Sequence, residues 1–430
     1  MTRAVVLGGR GAGVVRIDPR AREHALLTLW IIVTFKEFEG DELLLYPLAL
    51  YFLYAAIRDL PKLAPLLAPG AVLLVFPTWW LISVLWADAP AAAFRSGLQL
   101  VLTILICFHA AAWLSPRQVM ASVFIAAAVA GVLSAAALTE GAGAARGLFP
   151  HKNVLGGNMA VLWLTSLALL LDPHSPRSLR LAAAPAAVLA IALVAWSQSA
   201  TAYLLSAAGA GVVAGGALLL RRSSIFRADR LAMLFLAIGL AAGGVAATAA
   251  TGGFDPVDSV LEAVGKDRTI TGRTGLWEYA EDQIAKRPWL GVGPGGFWRY
   301  DESPLVQRIY AEYYKGPKSY FSFHNSYYEI AVHLGIIGAA MAFLTLLWAV
   351  LVIVVGTLRR GGMPYVFFTA IALVVTARSF TEADLLKPFV LLHMLVWIGA
   401  LSILLDERRR SGAARSPAAP RPSAGSAGAW

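Results

Sequence analysis

The sequence predicts an all-α polytopic integral membrane protein with about twelve transmembrane helices and one large outward loop that carries short helices. Three observations predict it. The 430 residues are 58% hydrophobic and only 14% charged, against about 25% charged residues in a soluble domain. Mean hydropathy is +0.66. Apolar runs of roughly 16 to 25 residues recur along the chain, the length that crosses a hydrocarbon core about 30 Å thick.

The expected spans lie at 24–39, 41–57, 66–86, 94–114, 117–138, 153–171, 181–198, 201–220, 231–251, 325–358, 364–380 and 384–405. Residues 325–358 are too long for one straight crossing and should bend near Leu334-Gly335. The chain thus divides into an N-terminal segment (1–23), a first helical block (24–251), the long loop (252–323), a second block (324–405) and a tail (406–430). Residues 1–23 are basic and Gly-rich with no apolar run ahead of a small-residue cleavage site, so the first span is expected to act as the insertion signal. The tail from Ser411 is rich in Ala, Pro, Ser and Gly and is expected to be disordered.

Loop charge sets the orientation. Alternate short loops carry Arg58 and Lys62, then Arg117, Arg177 and Arg180, then Arg221, Arg222, Arg227 and Arg230, then Arg359 and Arg360, and the tail carries Arg408 to Arg410. The first loop on the other side is acidic, with Glu37, Glu39, Asp41 and Glu42 around Lys36. The positive-inside rule puts both termini in the cytoplasm and the long loop outside. The long loop holds nine Lys/Arg against ten Asp/Glu, so the net charge of +10 belongs to the cytoplasmic edges and implies no nucleic-acid partner.

Several familiar signals are excluded by context. Gly291, Gly293 and Gly296 fit G-x-G-x-x-G, but no β-branched strand precedes them. The run Gly8 to Gly13 lacks the Gly-Lys-Ser/Thr of a phosphate-binding loop, and no Asp-x-Asp pair is present for a metal-bound nucleotide sugar. Cys107 is the only cysteine, which rules out an intrachain disulfide and a thiolate metal cluster. No metal and no cofactor is expected.

Reactive groups gather on the outward side instead. The long loop contains Arg273, Trp277, Arg287-Pro288 and the cluster Gly291-Val-Gly-Pro-Gly-Gly296, and closes on Phe323-His324-Asn325-Ser326-Tyr327. By helix counting, Arg146, His151, Lys152 and Asn153 before the sixth span and Ser197, Gln198, Ser199 and Thr201 after the seventh face the same way. These are groups for binding anions and moving a proton. Arg146 and Lys152 equally suit interfacial snorkelling. Ser197 and Ser199 equally suit capping a helix or tying helices together. Arg273 could instead pair with Glu278 or Asp267, and Trp277, Trp289, Phe297 and Trp298 could form an interfacial aromatic belt.

Gly272-Arg273-Thr-Gly-Leu-Trp277, Arg287-Pro-Trp-Leu-Gly-Val-Gly-Pro-Gly-Gly-Phe297, and His324-Asn325 followed after nine residues by Gly335-Ile-Ile-Gly338 together resemble the O-antigen ligase and Wzy-type polymerase superfamily. The Arg146 to Asn153 run and Ser197-Gln-Ser resemble its exopolysaccharide polymerases, and the likeness spans about residues 90 to 400. It implies an inner-membrane, metal-independent, inverting glycosyltransferase acting at the periplasmic face on undecaprenyl-diphosphate-linked oligosaccharide. A glycan acceptor, and a flippase and chain-length regulator beside the enzyme, are the partners it implies.

Chemistry gives the residues tasks within that frame. Guanidinium groups hold the charge growing on a departing diphosphate better than ammonium groups. Arg273 is the first choice, with Arg146, Lys152 and Arg287 as further diphosphate-binding cations. His324 is the candidate base for the acceptor hydroxyl, since an unperturbed imidazole titrates near ~6.5. Asn325 would orient the ring or bind sugar, and Asn153, Ser197, Ser199 and Trp277 would line the substrate. Glu39, Asp41 and Glu42 form a second candidate base set ranked below His324, and Glu382 and Asp384 receive no chemical task. Ala339 and Ala340 stand where ligases often carry a Thr pair, and Ser322 where some members have a second His, which favours a polymerase over a ligase. A transporter of lipid-linked sugar is the rival from another class, but the chain has no evident internal repeat and its polar groups cluster on one face.

Overall fold

The computed structural model describes residues 18–35, 42–137, 146–149, 151–221, 273–317, 319–385 and 387–415, and among these every regular element is helical. Asp18 caps α1 (Pro19–Thr34) by accepting the Arg20 N–H at 3.1 Å. Then come α2 (Glu42–Arg58) and α3 (Leu60–Leu67), bent 78° to each other. α4 (Val72–Ile82) is extended by a 3-10 turn at Ser83–Leu85. α5 (Pro90–Trp113), α6 (Pro116–Ala137), α7 (Lys152–Leu171), α8 (Arg177–Ser197) and α9 (Ala200–Arg221) complete the first block. Proline opens α1, α5 and α6, where its missing N–H is no loss.

Two short helices, α10 (Arg273–Lys286) and α11 (Pro304–Glu312), occupy the long loop, as expected. The second block is α12 (Ser326–Arg360), α13 (Met363–Ser379) and α14 (Leu391–Arg415). Eleven of the twelve expected spans coincide with a helix, and 231–251 lies outside the described residues, as do Glu39, Asp41, Gly252 to Gly272 and the tail from 416. Among the described residues, six helices are long and apolar enough to cross a membrane, or seven if α2 and α3 form one broken span. The count is below twelve partly because α1, α4 and α13 are short and α14 runs into Arg408 to Arg410.

One continuous core packs the helices, with Phe52, Phe76, Phe108, Phe367, Phe368 and Trp397 fully buried. A second, smaller core lies in the loop, where Leu276, Val306, Ile309, Tyr310, Phe321 and Phe323 close over one another. Opposite ends of the bundle are tied by different contacts. Asn325 and Ser326 at the start of α12 meet the α13–α14 loop at one end. At the other, Arg117 of α6 meets Asp172 after α7.

The expected bend is present. Gly335 has φ 71° and ψ −179°, so α12 is a short first segment up to Leu334 followed by a span of about 25 residues, roughly 37 Å long. That leaves backbone groups around Val332 to Ile336 without helical partners. The loop after α10 supplies them: Val292 N–H donates to Val332 O at 3.0 Å, Gly293 N–H to His333 O at 2.7 Å, and Ile336 N–H to Pro288 O at 2.8 Å. A Cβ at Gly335 would stand 1.9 Å from the Trp289 carbonyl oxygen, and one at Gly293 2.2 Å from Cβ of Ala87. The glycine cluster is therefore packing that lets two backbones touch.

Gly335→Ala combines a disfavoured φ with a backbone clash and should destabilise the fold by about 2 kcal/mol or more. Thermal unfolding in detergent should show a midpoint several degrees lower; a midpoint equal to wild type would remove the interlock as a stabilising feature.

Candidate functional site

The site forms where α12 begins. Phe323 and His324 precede the helix, and Asn325 caps it by accepting the N–H groups of Tyr327 at 2.9 Å and Tyr328 at 3.3 Å. The cap holds the chain out of helical geometry, and His324 takes a left-handed backbone with φ 51°. Non-glycine residues seldom adopt that conformation, and such strain concentrates at functional sites.

Neighbours hold the strained residue in place. Trp277 of α10 donates its indole N–H to the Phe323 carbonyl at 2.9 Å and stacks on Tyr328. Buried Glu329 accepts the Phe323 N–H at 3.0 Å and the Trp298 indole N–H at 2.9 Å. Trp277 and Trp298 thus use their polar edges to position the backbone before His324, a role their aromatic character in the sequence did not announce.

The His324 ring is 34% exposed and its Nδ1 faces the Glu382 carboxylate at 3.5 Å. Among the described residues that nitrogen has no closer hydrogen-bond partner. The other oxygen of Glu382 lies 3.8 Å from Arg273, whose guanidinium also donates to the Thr381 carbonyl at 2.8 Å. Arg273 therefore joins the α13–α14 loop, not Glu278. Asn325 and Ser326 reach the same loop, Asn325 donating to Phe380 O at 3.3 Å and Ser326 to Glu382 O at 2.6 Å.

Sequence reasoning missed Arg378. It sits at the end of α13, donates to Asp384 at 2.7 Å, and has a guanidinium nitrogen 2.8 Å from where a Cβ on Gly157 would be. Next door, a Cβ on Gly156 would stand 2.8 Å from Ser197 Oγ. Two adjacent glycines on α7 therefore let the α8–α9 corner approach on one side and Arg378 on the other. The signal was available: an arginine near the end of an otherwise apolar run is a functional-site candidate by default.

The remaining expected residues divide. Lys152 is exposed and reaches Gln198 O at 3.4 Å, joining α7 to the α8–α9 corner. Arg146 is exposed just upstream, and Asn153 half-buried in the first turn of α7. Ser197 and Ser199 are buried and serve the corner itself: Ser197 donates to Val194 O at 2.7 Å, and Ser199 accepts the Ala202 N–H at 3.4 Å. The capping alternative describes both hydroxyls. Arg287 makes its ion pair elsewhere, with Asp88 at 2.7 Å, locking the α10 exit to the α4–α5 turn.

Burial drives the Glu382 carboxyl upward, but the His324 ring, Arg378 and Arg273 outweigh it and hold the group below the usual carboxylate range. The arrangement is an imidazole backed by an ionised carboxylate, with the guanidinium groups of Arg273 from α10 and Arg378 from the end of α13 both bonded to the α13–α14 loop. It can take a proton from a hydroxyl and steady the imidazolium that results.

Residues 185–343 match the O-antigen ligase family. The exopolysaccharide production protein ExoQ of Rhizobium meliloti (strain 1021) is 30% identical to this chain over 354 residues, which cover 78% of each of the two chains. The family match contains Arg273, Trp277, His324 and Asn325, whereas Arg378 and Glu382 lie beyond its end.

A carboxyl lowered by folding stabilises the fold above its unfolded value of about 4.5, and that stability is lost as pH falls through the lower folded value. Wild type should therefore lose more stability below about pH 4.5 than Glu382→Gln does, measured by thermal unfolding against pH. Parallel curves for the two proteins would show that Glu382 is not ionised by its neighbours.

Proposed function

The chain belongs to the O-antigen ligase family, and from that premise we propose that it polymerises undecaprenyl-diphosphate-linked oligosaccharide repeats into a surface or exopolysaccharide. The reaction is placed at the periplasmic face of the inner membrane, with both termini in the cytoplasm and about twelve spans. The observation that carries the reading is His324, strained at the head of α12 and backed by Glu382. Similarity to an exopolysaccharide production protein across most of both chains supports polymerisation ahead of ligation.

His324 Nδ1–H directed at Glu382 leaves Nε2 as the proton acceptor. The acceptor hydroxyl attacks the anomeric carbon of the donor sugar, and its proton passes to Nε2. The bond from that carbon to the diphosphate oxygen breaks, its electron pair leaves with the diphosphate, and the configuration inverts. Glu382 stabilises the imidazolium formed. Arg273 and Arg378, with Lys152 and Arg146 at the head of α7, balance the charge growing on the leaving group, so the proposed reaction uses no metal. Both guanidinium groups already face carboxylates, and the charge beyond neutrality comes from Lys152 and Arg146. A ligase would use the same donor and base with lipopolysaccharide core as acceptor, a choice set by contacts to the acceptor.

Lipid-linked glycans from a deletion strain should be single repeats, wild type should restore long chains, and His324→Ala should fail to do so while inserting normally. Long chains still held on the lipid diphosphate in the deletion would establish a ligase, and repeats held in the cytoplasmic leaflet a transporter. Arg273→Lys should lose about as much activity as Arg273→Ala, because an ammonium cannot reach Thr381 O and Glu382 together while meeting phosphate. Transfer by purified enzyme should survive a chelator; loss restored by a divalent ion would overturn the proposed metal-free step.

A further inference from the structure

The end of the bundle remote from His324 contains a cavity of about 470 Å³ between α1, α3, α5 and α14, lined by Arg20, Lys62, Trp113, Leu405, Arg408 and Arg409. A second of about 360 Å³ adjoins it and shares Arg20, Trp113, Leu405 and Arg409. Four cations thus line one recess, and although Asp59 feels the charge of Lys62 and Asp406 lines the adjoining cavity, the nearby carboxylates make their direct contacts with other groups. Glu23 is buried and held by Arg22 at 2.6 Å, His109 at 2.8 Å and Tyr51 at 2.5 Å. Asp59 pairs with Arg58 and accepts the Trp113 indole N–H at 3.1 Å. Asp406 and Glu407 both face Arg360, at 3.6 and 3.3 Å, and Asp18 caps α1. Among the described residues, Arg20, Lys62, Arg408 and Arg409 form no ion pair.

Lys62 is further fixed by its ammonium group, 3.2 Å from the centroid of the Trp113 ring. The walls between the cations are apolar, with Pro65, Ala112 and Leu405. A recess of this volume suits a ligand of many atoms and not a lone ion. Charge on one side, hydrocarbon on the other and a position at helix ends describe a lipid head group meeting its chains.

We propose that this recess binds the phosphodiester head group of an anionic membrane phospholipid, on the face opposite the His324 site. Phosphate oxygens meet Arg20, Arg408, Arg409 and Lys62, and the glycerol end lies along Trp113 and Leu405. The site is independent of the glycan chemistry.

The probes are dioleoyl phosphatidylglycerol, dioleoyl phosphatidylcholine and inorganic phosphate, each added to the delipidated full-length protein and read by native mass spectrometry. Phosphatidylglycerol should bind about 10-fold or more tighter than phosphatidylcholine, and Lys62→Gln/Arg408→Gln/Arg409→Gln should erase that difference. A control variant, Arg177→Gln/Arg180→Gln at the same end of the bundle but outside the recess, should keep it. Equal loss in both variants would reduce the effect to diffuse surface charge and overturn the site. Displacement of phosphatidylglycerol by millimolar inorganic phosphate would show an ion site in place of a lipid site. If the triple variant fails to fold, the single variants Lys62→Gln and Arg409→Gln decide: a reduced lipid preference in them is expected, and a wild-type preference in both would refute the recess.

Discussion

The fold turns on one piece of backbone accounting. A helix of 35 residues that breaks at Gly335 exposes carbonyls and an N–H inside a largely apolar bundle, where each unsatisfied group costs several kcal/mol. The segment from Pro288 to Gly293 answers them strand-like, giving N–H groups to Val332 and His333 and taking one from Ile336. Trp79 adds its indole N–H to the Leu334 carbonyl at 3.4 Å. Because that loop must come within touching distance, glycine is required on both sides of the contact. The break in turn frees the first segment of α12 to follow a direction set by the loop and not by the span below it.

That freedom is what places His324. Asn325 starts the short segment, Glu329 one turn later anchors Phe323 N–H and Trp298, and Trp277 fixes the Phe323 carbonyl. An acid in the first turn also suits the positive end of the helix dipole. Both peptide groups before His324 are therefore pinned, which sustains the left-handed conformation against its intrinsic cost. The ring then meets Glu382, delivered by another loop over 50 residues further along the chain, and the other oxygen of that carboxylate faces Arg273.

Much of this was legible from sequence, for reasons that differ by residue. Apolar run length gives the helices, and an overlong run with glycine in it gives the bend near Leu334-Gly335. His324 stood out because a polar loop ends there against an apolar run. The role of the glycine cluster was not legible, since Gly291 to Gly296 reads locally as an anion cradle while its partners are backbone atoms some 40 residues away. The Arg287 contact was hidden for the same reason: a loop arginine looks free until Asp88, 199 residues earlier, is brought beside it. Ser197 and Ser199 carried both readings, and the tight α8–α9 corner, with Gln198 at φ 49°, uses their oxygens internally.

Glu382 and Arg378 show why charge at a helix end cannot be weighed singly. In sequence they are part of a mixed cluster, Arg378-Ser-Phe-Thr-Glu382-Ala-Asp384, that sums to a small net charge and suggests mutual neutralisation. In space the cluster is divided by contact: Asp384 takes the Arg378 hydrogen bond and Glu382 faces His324 and Arg273, with Arg378 acting on Glu382 only through its charge. A carboxylate shared between an imidazole and a guanidinium is held ionised, and an ionised carboxylate beside Nδ1 fixes which ring nitrogen is open to accept a proton. In the proposed reaction the Arg378–Asp384 hydrogen bond leaves the Glu382 oxygens to His324 and Arg273, though neither Arg378 nor Asp384 touches the ring.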